Sequence, residues 1–103
     1  MTYQLVLQFS GQALTDYDSL IDLENGLIAI LGDSADVDGH DFGSGQGNIF
    51  ILTENPIATF ENLRRFLAAR EVLDVVVAAY RQLAADDYVV IWPYGFSGDF
   101  TVV

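Results

Sequence analysis

Apolar and polar positions alternate at the start of the chain. Tyr3, Leu5, Leu7 and Phe9 fall on one side, and Thr2, Gln4, Val6 and Gln8 on the other. A period of two predicts a half-buried strand over residues 2–9, ended by Ser10-Gly11. The period then lengthens. Tyr17, Leu20, Leu23, Leu27, Ile30 and Leu31, widened by Ile21 and Ile28, make the inward stripe of a helix. Thr15 is its expected N-cap, with Asp18 three positions on and Asp16 near the positive end of the dipole. Gly26 inside this helix costs about 1 kcal/mol relative to alanine, and Gly32 is a natural stop just past its end.

The next stretch, Ser34 to Pro56, organises the rest. Asp33 to His40 is expected to run as a strand, and its Asp and Gly content suits a sheet edge. Asp41 to Gly47 is expected to turn the chain, and Asn48 to Thr53 to return as a strand apolar on both faces, hence central. Their closeness in sequence predicts an antiparallel hairpin. Asn55 and Pro56 then provide an N-cap and first position for a second helix with the stripe Ile57, Phe60, Leu63 and Leu67. Leu73, Val76, Val77, Tyr80 and Leu83 repeat at helical spacing and predict a third helix, with Arg70 and Asp74 as a surface pair; Val75-Val76-Val77 taken alone suggests a strand. Tyr88 to Trp92 reads as the last clear strand, and Phe100 to Val103 as a short additional one.

The order β-α-β-β-α-(α)-β, with right-handed crossovers, predicts an α+β fold. It corresponds to a ferredoxin-like sandwich, a four-stranded antiparallel sheet with helices on one face. The first and third strands are then central and the second is an edge. A chain of 103 residues, 51% hydrophobic and 18% charged, suits one folded domain over residues 1–103.

Charge narrows the function classes. The net charge is −11, there is no lysine, and all ten carboxylates of residues 1–63 precede the first arginine, Arg64. Such a surface repels phosphate backbones, so no nucleic-acid partner is expected. No cysteine is present, which excludes disulfides and thiolate chemistry. No apolar run approaches the roughly 20 residues of a membrane span, so no membrane partner is expected. The first residues carry no positive stretch, and Gln4 and Gln8 interrupt any apolar core of a leader, which predicts a cytoplasmic protein.

Candidate chemistry centres on Asp36, Asp38 and His40. At i, i+2 and i+4 of a regular strand they share one face, where two carboxylates and an imidazole suit a divalent metal or acid–base work. With Val37 toward the helices, the trio faces the open side of the sheet beside Gln4 and Gln8; the plainer reading is an edge strand kept soluble. A calcium loop fails, because Gly47 stands where a bidentate Glu is required. Gly43, Gly45 and Gly47 make no phosphate loop, since a strand follows and no lysine exists. Ser44 has only His40 as a conceivable base. Arg64, Arg65 and Arg70 are candidates for an anion, although pairing with the chain's own carboxylates is the simpler expectation. Glu24 borders the first helix's apolar stripe, where it is expected to reach water. Trp92, Tyr88, Tyr94 and Phe96 are expected to pack over the end of the sheet. No cofactor is implied.

The segments Asp38-Gly39-His40-Asp41, Gly43-Ser44-Gly45, Asn48-Ile49-Phe50-Ile51, Pro56, Ala79-Tyr80 and Trp92-Pro93, in this order, resemble a group of small, acidic bacterial α+β proteins of unknown function. The resemblance implies a bacterial origin and the compact fold, and no activity. By analogy of charge alone, immunity proteins and nucleic-acid mimics are comparable. The leading expectation is a non-enzymatic interaction module, self-associating as a homodimer through the open sheet face or binding a basic protein partner. The alternative is a small-ligand or metal-binding protein, with catalysis as its extension, centred on Asp36, Asp38 and His40.

Overall fold

The computed structural model describes residues 2–10, 17–43, 45–96, 98 and 100–102. The elements run β1 (Tyr3–Ser10), α1 (Tyr17–Leu31), β2 (Asp36–Gly43), β3 (Gln46–Thr53), α2 (Pro56–Ala69), β4 (Val77–Gln82) and β5 (Val89–Trp92). The fold is α+β, with one five-stranded sheet in the order β2-β3-β1-β4-β5, antiparallel at every pairing. β1 and β3 are internal and β2 is an edge, as the polarity of each strand implies. The expected four-stranded layout is not matched exactly: among the described residues there are five strands and two helices.

The difference lies in residues 72–83. Glu71 adopts φ 61, one turn follows in which the N–H groups of Val75 and Val76 donate to the Val72 carbonyl, and the chain then extends into β4. The third helix is absent because Val77–Gln82 pairs along the free side of β1, where β-branched residues favour extension. Val77, Ala79 and Arg81 take one face, and Ala78 and Tyr80 the other. Arg70 consequently pairs with Asp22 of α1 at 2.7 Å, in place of the expected Asp74. Phe100, Thr101 and Val102 form no strand.

The core lies between α1, α2 and one sheet face. Leu20, Leu23, Leu27 and Leu31 of α1 and Phe60, Leu63 and Leu67 of α2 close over Leu5, Leu7, Phe9, Ile49, Ile51 and Ala78. Ile28, Ile30 and Ile57, expected on the inward stripes, are exposed. A β-carbon at Gly26 would lie 2.4 Å from the Phe66 ring tip, so the glycine lets α2 approach α1. Gly32 has φ 53 and donates its N–H to the Ile28 carbonyl, ending α1 as expected. The expected cap at Thr15, with Asp16, lies outside the described residues.

Asn55 caps α2, its Oδ1 accepting from the Ala58 N–H at 3.1 Å with Pro56 at the first turn. The buried hydroxyls of Thr53 and Thr59 lie 2.7 Å apart, and Thr53 Oγ1 also accepts from the Asn55 N–H, which ties the end of β3 to the start of α2. The β2–β3 hairpin is tighter than expected, with Gly43 opposite Gln46 and Gly45 at φ 76. Gly45 lies in the turn, where glycine relieves the left-handed strain.

Candidate functional site

The register of β2 decides what its polar side chains can do. Val37 pairs with Ile51 and Gly39 with Phe50, so Asp38 is an extra residue in a β-bulge. An inserted residue reverses the alternation beyond it. Asp36, opposite Leu52, and Asp41, opposite Asn48, lie on the face away from the helices. His40, opposite the core residue Ile49, turns toward α1 instead. The expected same-face trio therefore does not assemble, and among the described residues no three His, Asp or Glu side chains are grouped to hold a metal ion.

His40 meets Glu24. Its Nδ1 lies 3.1 Å from both carboxylate oxygens. A carboxylate only accepts, so the contact has the proton on Nδ1. The His40 side chain is 26% exposed and that of Glu24 12%, so this pair seals the seam between β2 and α1. Glu24 is thus engaged by an imidazole, not directed into water. A serine nucleophile at Ser44 falls outside the described residues.

Gln4 and Gln8 do face the open side, and both are engaged by the chain itself. Gln8 Nε2 donates to Asn48 Oδ1 at 3.1 Å and to the Thr101 carbonyl at 2.8 Å, while Asn48 donates to Gln46. Gln4 Oε1 accepts from Arg81 Nε at 3.1 Å and from the Tyr88 hydroxyl at 3.3 Å. Phe100 packs edge-on against Tyr88 with ring centroids 5.0 Å apart. Phe100 and Thr101 thus lie over this face of the sheet, where Val6 of β1 and Ala79 of β4 are fully buried although they point away from the helices. Sequence reasoning missed this cover. Its one readable signal was Val6, an apolar residue between two glutamines. The route expected for self-association, an open sheet face, is occupied over these two strands.

The aromatic group near the C-terminus is split between faces. Tyr88 lies on the covered side, whereas Trp92 reaches the helices, donating Nε1–H to the Leu73 carbonyl at 2.9 Å and packing against Phe60 and Tyr94.

The cations are largely consumed within the fold. Arg64 pairs with Glu61 at 3.2 Å and stacks over Trp92 at 4.6 Å. Arg70, besides Asp22, stacks over Phe66 at 4.8 Å. Arg81 also donates to the carbonyls of Gln82, Leu83 and Ala85. Arg65 alone of the three anion candidates is exposed with no partner among the described residues. Around β2 the balance is opposite. Asp33, Asp36, Asp38, Asp41 and Glu54 are all exposed, and none has a cationic partner among the described residues. Asp33, Asp36 and Glu54 also line an open hollow of about 460 Å³ with Ser34 and Thr53. Among the described residues, no helix is long and apolar enough to cross a membrane.

No family model matches the chain, and neither curated proteins nor solved structures provide a match.

Proposed function

We propose that the protein is a non-enzymatic interaction module whose β2 edge receives a basic segment of a protein partner. The observation that supports this reading is the run of five exposed carboxylates, Asp33, Asp36, Asp38, Asp41 and Glu54, without a cation of the chain's own among the described residues. The only basic side chain of β2, His40, is turned inward to Glu24. A field of one sign raises the encounter rate with an oppositely charged surface and disfavours acidic competitors. The bulge at Asp38 and the aspartates along the strand disfavour addition of another strand at this edge, so side-chain charge carries the contact. The hollow beside Asp36 suits a guanidinium or ammonium group. An immunity-type role, in which a small acidic protein covers a basic one, is one form of this reading. The β2-β3-β1-β4 portion of the sheet reads as a ferredoxin-like core with β5 added outside β4.

A fluorescent deca-arginine peptide tests the proposal by anisotropy. Removing three charges as Asp36→Asn, Asp38→Asn and Asp41→Asn should weaken binding by roughly 1.5- to 5-fold for each ion pair removed, the usual range for exposed ion pairs. A control with the same net charge, Asp74→Asn, Asp86→Asn and Asp87→Asn, should change it much less. Equal weakening by the two variants would reduce the effect to net charge and reject a site at β2.

A further inference from the structure

We infer that the surface formed by β5 and the start of α2 is a contact between two copies of this chain. It is independent of the β2 site, which lies at the other end of the sheet. Ile57 is 54% exposed, Val89 51% and Tyr94 73%. Ile57 and Tyr94 line a groove of about 290 Å³ with Phe60, Val90 and Ile91. Strand β5, Val89–Trp92, contains no charged residue, and its outer side is the free end of the sheet.

Charge argues for a second copy as the occupant. At −11, two copies repel one another wherever they meet through their carboxylate-bearing surfaces. At this groove the single carboxylate, Glu61, is already balanced by Arg64 at 3.2 Å, and Arg64 is held in place over Trp92. A two-fold contact joins the same patch to itself, so it favours a patch that carries both signs side by side. The Glu61–Arg64 pair then faces its own copy in the opposite sense, Glu61 of one chain toward Arg64 of the other. An unmatched Ile91 between Val90 and Trp92 makes the strand irregular, so burial of Ile57 and Tyr94 carries the contact and strand addition does not. A contact carried by so few exposed apolar side chains implies a weak, reversible dimer, since stable complexes bury roughly 1,200 Å² or more.

Sedimentation equilibrium of the full chain, from about 10 μM to about 1 mM, spans the range where contacts of this size associate. The mean mass should rise from 11.3 kDa toward twice that value, and more readily at high salt, because screening removes the mutual repulsion. Binding of a basic peptide at β2 should weaken with salt, so the failure of one reading is distinguishable from failure of the other. Ile57→Glu changes an exposed side chain and should weaken association by about tenfold or more with an unchanged melting temperature; Tyr94→Glu should weaken it likewise, with a modest loss of stability from its ring contact with Trp92, whereas Asp36→Asn should not weaken association. Glu61→Arg and Arg64→Glu chains should each fail to self-associate, but associate with each other when mixed. A constant 11.3 kDa throughout, a dimer that survives both Glu variants, or a mixture no better than its components would overturn the inference.

Discussion

The bulge at Asp38 has a consequence measurable in free energy, because it places His40 against Glu24 and away from Asp36. Removing the imidazole leaves a carboxylate that is 12% exposed without its partner. An under-satisfied, largely buried polar group costs about 1–3 kcal/mol, and the residual exposure favours the lower half of that range. The informative quantity is the coupling. In a double-mutant cycle of Glu24→Ala and His40→Ala, measured by urea unfolding at neutral pH, the interaction energy should be near the lower end of about 1.5–3 kcal/mol, the range for a hydrogen bond to a charged group, because both side chains keep some exposure. The parallel cycle of Asp36→Ala and His40→Ala should give a coupling within about 0.3 kcal/mol of zero, because the two side chains lie on opposite faces of β2. Unchanged m-values would show that both cycles report on the same unfolding transition. Coupling of His40 to Asp36 with none to Glu24 would refute the bulged register and restore a regular strand with the trio on one face.

Two further stability predictions rest on single contacts. Gly26→Ala should be destabilising in the intact protein, despite a helix-propensity gain of about 1 kcal/mol, because the new β-carbon meets the Phe66 ring tip at 2.4 Å; combined with Phe66→Ala the same change should become stabilising, and thermal melts of the four proteins read out the sign reversal. Asn55→Ala should lower stability by about 1 kcal/mol through loss of the cap on α2, while Asn55→Asp, which keeps an acceptor for the Ala58 N–H, should retain most of it in denaturant titrations.

The elements readable from the sequence are those whose signal is local. β1 follows from strict alternation, and α1 from Leu20, Leu23, Leu27 and Leu31 with Gly32 behind them. Asn55-Pro56 marks the start of α2 by its own chemistry. In each case the residues that set the conformation lie within a turn or a few positions of one another. The same holds for the edge character of β2, where aspartates gain most from contact with water. The candidate site was legible in part. Its aspartates are exposed as expected, but only an uninterrupted strand places Asp36 and His40 on one face, and β2 is interrupted at Asp38. An inserted residue has no distinctive local signature among Asp and Gly neighbours, yet it reverses every side chain beyond it.

Sequence by itself therefore determined the fold class, the pairing of β2 with β3 and the acidic character of that edge, because periodicity, capping chemistry and net charge act over short range or not through geometry at all. Tertiary structure decided the rest. Residues 72–83 satisfy both a helical and an extended pattern, and the free side of β1 selects the strand, because a central strand needs hydrogen-bonding partners on both sides. Gln4 and Gln8 read in the sequence as an open polar face, but Thr101, some 90 residues away in the chain, accepts from Gln8 and Phe100 packs on Tyr88 over the same side. The direction of His40 was settled by the one-residue mismatch between β2 and β3, a property of two strands together that neither carries alone.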